Sequence, residues 1–103
     1  MKPLYLTISE PWFSRIESGY KKEEYREIKP YYDSRFKKEY NTVLFVNGYT
    51  KKSPRMLIEL KEITKGFGKK EWGAPEHKVY ILKLGNIIAS SNIDDEFDIL
   101  FLP

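Results

Sequence analysis

The sequence predicts a mainly-β α+β fold, a small, partly closed barrel of about five or six strands with one or two short helices. Three observations lead to it. Four stretches of strand character, residues 4–8, 41–47, 55–63 and 79–85, are separated by turns rich in Gly, Pro and Lys. Clear helical spacing appears early, where Trp12, Phe13 and Ile16 lie between Pro11 and Gly19. No repeat, linker or composition shift divides the 103 residues, so they read as one domain with its core over about 1–90.

Taken in order, residues 4–8 (LYLTI) form the first strand. A helix over about 9–18 follows, with Ser9 suited to cap it, Pro11 to its first turn and Gly19 to its C-terminal end. Strand two is expected along residues 21–28, inside the charged stretch GYKKEEYREIK, and Pro30 ends it. The segment PYYDSRFKKEY is a short helix or a loop. Residues 41–47 are a continuous apolar strand, followed by a turn with a basic tip at Lys51 and Lys52. Residues 55–63 alternate loosely as strand four. A Gly- and Lys-rich loop over 65–76 carries Trp72, and strand five runs over 79–85, with Ile87 and Ile88 extending it past a bulge. Residues 91–103, acidic and ending in FDILFLP, are an edge strand or a tail.

Composition narrows the function classes. Hydrophobic residues are 41% and aromatics 16%, enough for one core. No apolar run approaches the ~20 residues of a membrane span, and MKPLYLTISEPW lacks the apolar segment of a signal peptide. With no cysteine, disulfides and thiolate metal sites are excluded, and the single His77 gives little to a metal centre. The expectation is a cytoplasmic protein that uses neither metal nor cofactor. Net charge is +3, but the first 91 residues hold 18 basic against 11 acidic side chains. Seven of the eight tyrosines lie in the first 49 residues. Basic charge mixed with aromatics suits a polyanion with exposed bases; it equally describes a lysine-rich solvated surface.

The charged strand poses the sharpest question, because alternation places charges on both of its faces. Glu24 and Arg26 share a face. If that face lines a cavity near a barrel rim, the two offset each other's burial and form a polar socket for a planar group with donors and acceptors, such as a nucleobase edge. The alternative is an exposed edge strand whose charges prevent aggregation. Trp12 belongs to the core by its helical spacing. Trp72, in a loop with Gly66, Gly68 and Gly73, either stacks on a base or lids the core. Lys21 with Glu23, Glu24, Glu71 or Glu76 offers a lysine–carboxylate pair for acid–base work. Arg35 extends a basic rim or is solvated.

The segment LYLTISEPWFSRIESGYKKEEYRE resembles the opening of the ASCH domain family. It keeps Pro11-Trp12, Ile16 and then G-x-K-x-x-E-x-R as Gly19, Lys21, Glu24 and Arg26, and HKVYILKLGNI is similar to the family's last core strand. The resemblance spans about residues 1–90. It implies a PUA-like β-barrel with an RNA-binding cleft lined by Lys21, Glu24 and Arg26. Some relatives are amidohydrolases acting on acetylated cytidine, and others are described as ribonucleases. This chain departs from them: Lys22 follows the motif lysine where members carry Thr, and Glu24 stands at the amidohydrolases' threonine position.

These readings lead to an RNA- or nucleotide-binding module. Lys21 and Arg26 meet phosphate or a base acceptor, Glu24 accepts from a base amine, and Trp72 or Tyr25 stacks, with Arg35, Lys51 and Lys52 on the basic rim. A small metal-independent hydrolase with Lys21 as base and Glu24 or Glu71 as partner is the first alternative. A protein-interaction domain using FDILFLP is the second.

Overall fold

The computed structural model describes residues 2–91. Five strands form one sheet: β1 (Leu4–Thr7), β2 (Glu23–Arg26), β3 (Thr42–Val46), β4 (Arg55–Gly66) and β5 (Val79–Ser91). Their order is β1-β3-β4-β5-β2, with β1 parallel to β3 and the other pairs antiparallel. Two short helices, α1 (Trp12–Glu17) and α2 (Pro30–Arg35), and a 3₁₀ turn at Lys70–Trp72 complete it. Residues 92–103, where an edge strand or tail is expected, lie outside the described residues; Ser91 ends β5.

The sheet curls because β4 and β5 are long and irregularly paired. Register shifts at Leu57/Ile58, Ile58/Leu60 and Leu60/Glu62 interrupt their ladder, and such bulges bend a strand and raise its twist. The concave face buries Leu4, Leu6 and Ile8 from the first strand segment, Val43 and Phe45 from β3, Met56, Ile58 and Leu60 from β4, and Tyr80, Leu82 and Leu84 from β5. Helix α1 adds Phe13 and Ile16 to that core.

Two expectations are corrected. The helix expected over 9–18 is shorter, Trp12–Glu17. Its first turn does start at the Ser9 carbonyl, which accepts from the Trp12 and Phe13 N–H groups at 3.1 and 3.2 Å. The side chain serving that turn is Glu10, which accepts from the Ser14 backbone N–H at 3.1 Å. Strand two is four residues rather than eight. Lys29 is extended and leads into Pro30 at the start of α2, as the residue before a proline prefers. Gly19 closes α1 with φ of +86°, which an L side chain rarely adopts.

Among the described residues the curl stops short of a closed backbone barrel, and β1 and β2 are the two outer strands of a half-barrel. Side chains span the gap. Arg26 of β2 donates from Nη2 to the Thr7 carbonyl of β1 at 2.8 Å. Arg35 of α2 donates to the Tyr5 carbonyl of the same strand. Helix α2 is fixed over the seam by aromatic packing: Tyr32 stacks on Phe36 at 5.3 Å, and Phe36 meets Tyr80 edge-on at 4.9 Å. The Tyr80 hydroxyl donates to Asp33.

Candidate functional site

The register of β2 against β5 answers the question of its charges. Glu24 sits opposite Leu82 and Arg26 opposite Tyr80, both core residues, so this pair faces the concave side. Glu23 and Tyr25, opposite Lys83 and Ile81, face the other way. Glu24 is 8% exposed, and its Oε2 lies 2.7 Å from Arg26 Nη2 and 2.9 Å from Arg26 Nε. Arg26 also donates from Nη1 to the Tyr32 hydroxyl at 3.1 Å. Burial works against the Arg26 charge, but Glu24 and Tyr32 outweigh it and leave its pKa above the ordinary value.

This pair is part of the wall of an open cleft of about 400 Å³ between β1 and β2. Trp12, Thr7, Asn47 and Tyr49 line it with Glu24 and Arg26. That volume lies within the ~300–1,000 Å³ typical of small-ligand sites. Its chemistry is mixed. An ionised carboxylate has about four acceptor positions on its two oxygens, and Glu24 shares them with Lys21 and Arg26 alone among the described residues. Asn47 donates from its amide nitrogen to Glu10 at 3.1 Å, which turns that end of the amide away and leaves its carbonyl oxygen.

Lys21 stands behind the pair and does not line the cleft. It is 3% exposed, with Nζ 3.3 Å from Glu24 Oε1 and donating to the Trp72 carbonyl. The Trp12 and Tyr25 rings enclose the ammonium at 5.0 and 4.7 Å. Burial pulls its pKa below the ordinary value, and Glu24 pulls the other way without restoring it.

The remaining expected residues divide. Trp72 contributes its carbonyl to the site, while its ring lies under Lys69 Nζ at 4.4 Å. It is not among the residues lining the cleft; Trp12, expected in the core, is. Tyr25 is a clamp: its hydroxyl donates to Glu23 at 2.8 Å and accepts from the Lys69 N–H at 2.9 Å. A Cβ at Gly68 would meet the Tyr25 ring at 2.3 Å, so glycine is what lets that loop close. Burial is the main reason the Tyr25 pKa lies above its ordinary value. Glu71 and Glu76 are exposed and do not pair with Lys21, whose carboxylate partner is Glu24. Lys51 and Lys52 are exposed on the 47–54 loop, just beyond Tyr49 at the cleft mouth. Arg35 is half-buried over the Tyr31 ring at 5.5 Å.

No family model, curated protein or solved structure matches the chain. Among the described residues no group of three or more His, Cys, Asp or Glu is placed to hold a metal ion, and no helix is long and apolar enough to cross a membrane. The site therefore has to be read from its own chemistry.

Residues missed from sequence are Asn47 and Tyr49; Trp12 was singled out but assigned to the core alone. Asn47 and Tyr49 flank the end of β3, which the parallel β1/β3 pairing places beside Thr7. The crowding of tyrosines into the first half of the chain is the one sequence signal that pointed toward them.

Proposed function

We propose that the cleft between β1 and β2 holds a base of RNA or of a nucleotide, on a PUA-like half-barrel of the ASCH type. One observation carries this reading: a buried, mutually neutralising Glu24–Arg26 pair 2.7 Å apart lies in the wall of a cleft lined by an indole and an amide. A bare hydrophobic pocket selects by shape. A carboxylate and an amide set in a mixed wall select by donor and acceptor pattern, and a group lacking that pattern leaves them unpaired at a cost of ~1–3 kcal/mol each. Glu24 accepts from an exocyclic amine, Asn47 meets a donor, and Trp12 offers a face or edge for stacking, worth ~1–3 kcal/mol per base. Lys21 orients Glu24 from behind. The basic 47–54 loop adds attraction for phosphate that carries no base preference.

The test separates the pocket from the charge. A short unstructured RNA is titrated against the parent, Glu24→Gln and Lys51→Ala at two salt concentrations. Glu24→Gln makes the protein more positive, so generic polyanion binding holds or improves, whereas a socket reading a base amine loses affinity by about tenfold or more. Glu24→Gln binding as well as the parent, with Lys51→Ala weakened, leaves only a basic surface.

A second reading is a small metal-independent hydrolase of a modified nucleoside or RNA. The lowered pKa of Lys21 beside a carboxylate favours it, since that is how a lysine becomes a base near neutral pH. Release of acetate from an acetylated cytidine, lost in Lys21→Met, is its signature.

A further inference from the structure

We propose that the cleft is the first of three joined subsites along the seam, and that the protein takes an extended single strand of RNA in preference to a lone nucleotide. The proposal rests on the base-pocket reading of that cleft and adds the path leading away from it. A second hollow of about 360 Å³ shares Thr7, Arg26 and Tyr49 with the cleft and adds Tyr5, Tyr31 and Arg35. A third, of about 580 Å³, shares Tyr5 and Arg35 with the second and adds Lys2 and Lys38. Each neighbouring pair has walls in common, so the three form one track from the motif, past α2, to the start of β1.

The lining combines exposed aromatic rings with cations. Tyr49 is 90% exposed and Tyr31 59% exposed, and neither belongs to the core. Both stand on the walls of the second hollow, together with Arg26 and Arg35. Exposed rings and cations lining one open groove suit stacked bases and the phosphates joining them. Beyond the cleft the basic residues Arg35, Lys2 and Lys38 face the single acid Glu39 on these walls. That balance favours a polyanion over an extended peptide. The arginines are held in place: Arg26 by Thr7, Tyr32 and Glu24, and Arg35 by the Tyr5 carbonyl. Placed cations need no ordering when the strand arrives.

The experiment is a length series. Ribonucleoside 5′-monophosphates and RNA oligomers of two, three and five nucleotides are titrated against the parent, Tyr31→Ala, Tyr49→Ala, Lys38→Ala and Glu24→Gln. In the parent, affinity rises with each added nucleotide up to about three and then levels off. Its dependence on log salt steepens by ~0.7 per phosphate engaged. Tyr31→Ala and Lys38→Ala weaken the trimer about tenfold and leave the monophosphates unchanged. Tyr49→Ala, whose ring lines the first cleft as well as the second hollow, weakens monophosphates and trimer alike, and Lys38→Ala, at an exposed position away from the cleft, guards against a folding defect in Tyr31→Ala. A trimer that binds no tighter than a monophosphate, or a trimer indifferent to Tyr31→Ala and Lys38→Ala, overturns the track. Glu24→Gln losing the monophosphates in that case leaves the base pocket standing. Length dependence with Glu24→Gln unchanged on every ligand overturns the pocket and, with it, the first subsite.

Discussion

Two ion pairs of almost equal length join acids and bases in this protein, and their surroundings differ completely. Glu24 and Arg26 lie 2.7 Å apart in the seam, with side chains 10% and 14% exposed. Glu62 and Lys83 lie 2.9 Å apart on the outer ladder of β4 and β5, with side chains 50% and 47% exposed. Distance alone would rank them together. Water separates them, because a solvated pair gains little over its hydrated ions, whereas removing one member of a buried pair strands the other. The outer pair decorates a sheet. The inner pair bridges the two outer strands of that sheet, through Arg26 to Thr7, and does so where a cleft opens.

The largest expected effect tests that contrast on the seam. Arg26→Ala leaves Glu24 buried without its guanidinium and uncaps the Thr7 carbonyl, so stability falls by ~3–5 kcal/mol. At ~4 °C or more per kcal/mol for a domain of this size, Tm falls by at least ~12 °C. A parent-like melting curve would erase the distinction between the two pairs.

A second test sharpens the contrast through pH. Burial lowers the folded-state pKa of Lys21 below its unfolded value of 10.5. Between those two values the unfolded chain binds more protons, so this group makes the protein more stable as pH rises through that window. Thermal melts of the parent and Lys21→Met from pH 7 to 10.5 show the parent gaining on the variant with rising pH. Parallel curves would mean that Lys21 is solvated.

The smallest effect is expected at the outer pair. Glu62→Gln, removing a solvated partner of Lys83, leaves Tm at the parent value and leaves RNA binding unchanged. A loss comparable to that of Arg26→Ala would show that exposure is a poor guide in this sheet.

How far the sequence reaches can be seen at particular residues. The strands were legible because apolar runs and breakers are local signals: Pro30 ends one element, Gly19 closes another, and residues 41–47 contain β3. The motif's Glu24 and Arg26 were legible as a pair because strand alternation puts them on one face. Which face was not legible, since it depends on register against β5, 54 to 60 residues away. Partial closure was expected, but how the gap is spanned was not legible: it depends on long-range placement, which brings Arg26 to the Thr7 carbonyl and Arg35 to the Tyr5 carbonyl. Trp12 packs against the core as expected and also lines the cleft, whereas Trp72 neither lines the cleft nor joins that core cluster. Trp12 lies one residue off the buried Phe13–Ile16 stripe, too small an offset for spacing to resolve. Trp72 serves through its carbonyl, a backbone role that side-chain identity does not announce.

The two tryptophans also provide the most direct measurement. With only two in the chain, their indole N–H resonances are readily told apart by a Trp72→Phe variant. A nucleoside 5′-monophosphate series is added to ¹⁵N-labelled protein at high salt, where phosphate attraction is screened. If the seam cleft is a base socket, the Trp12 indole and the Asn47 side-chain amide shift together and saturate, while the Trp72 indole and the 47–54 backbone beyond Tyr49 stay in place. Shifts confined to the Trp72 indole or to Lys51 and Lys52, with Trp12 and Asn47 unmoved, would contradict the account.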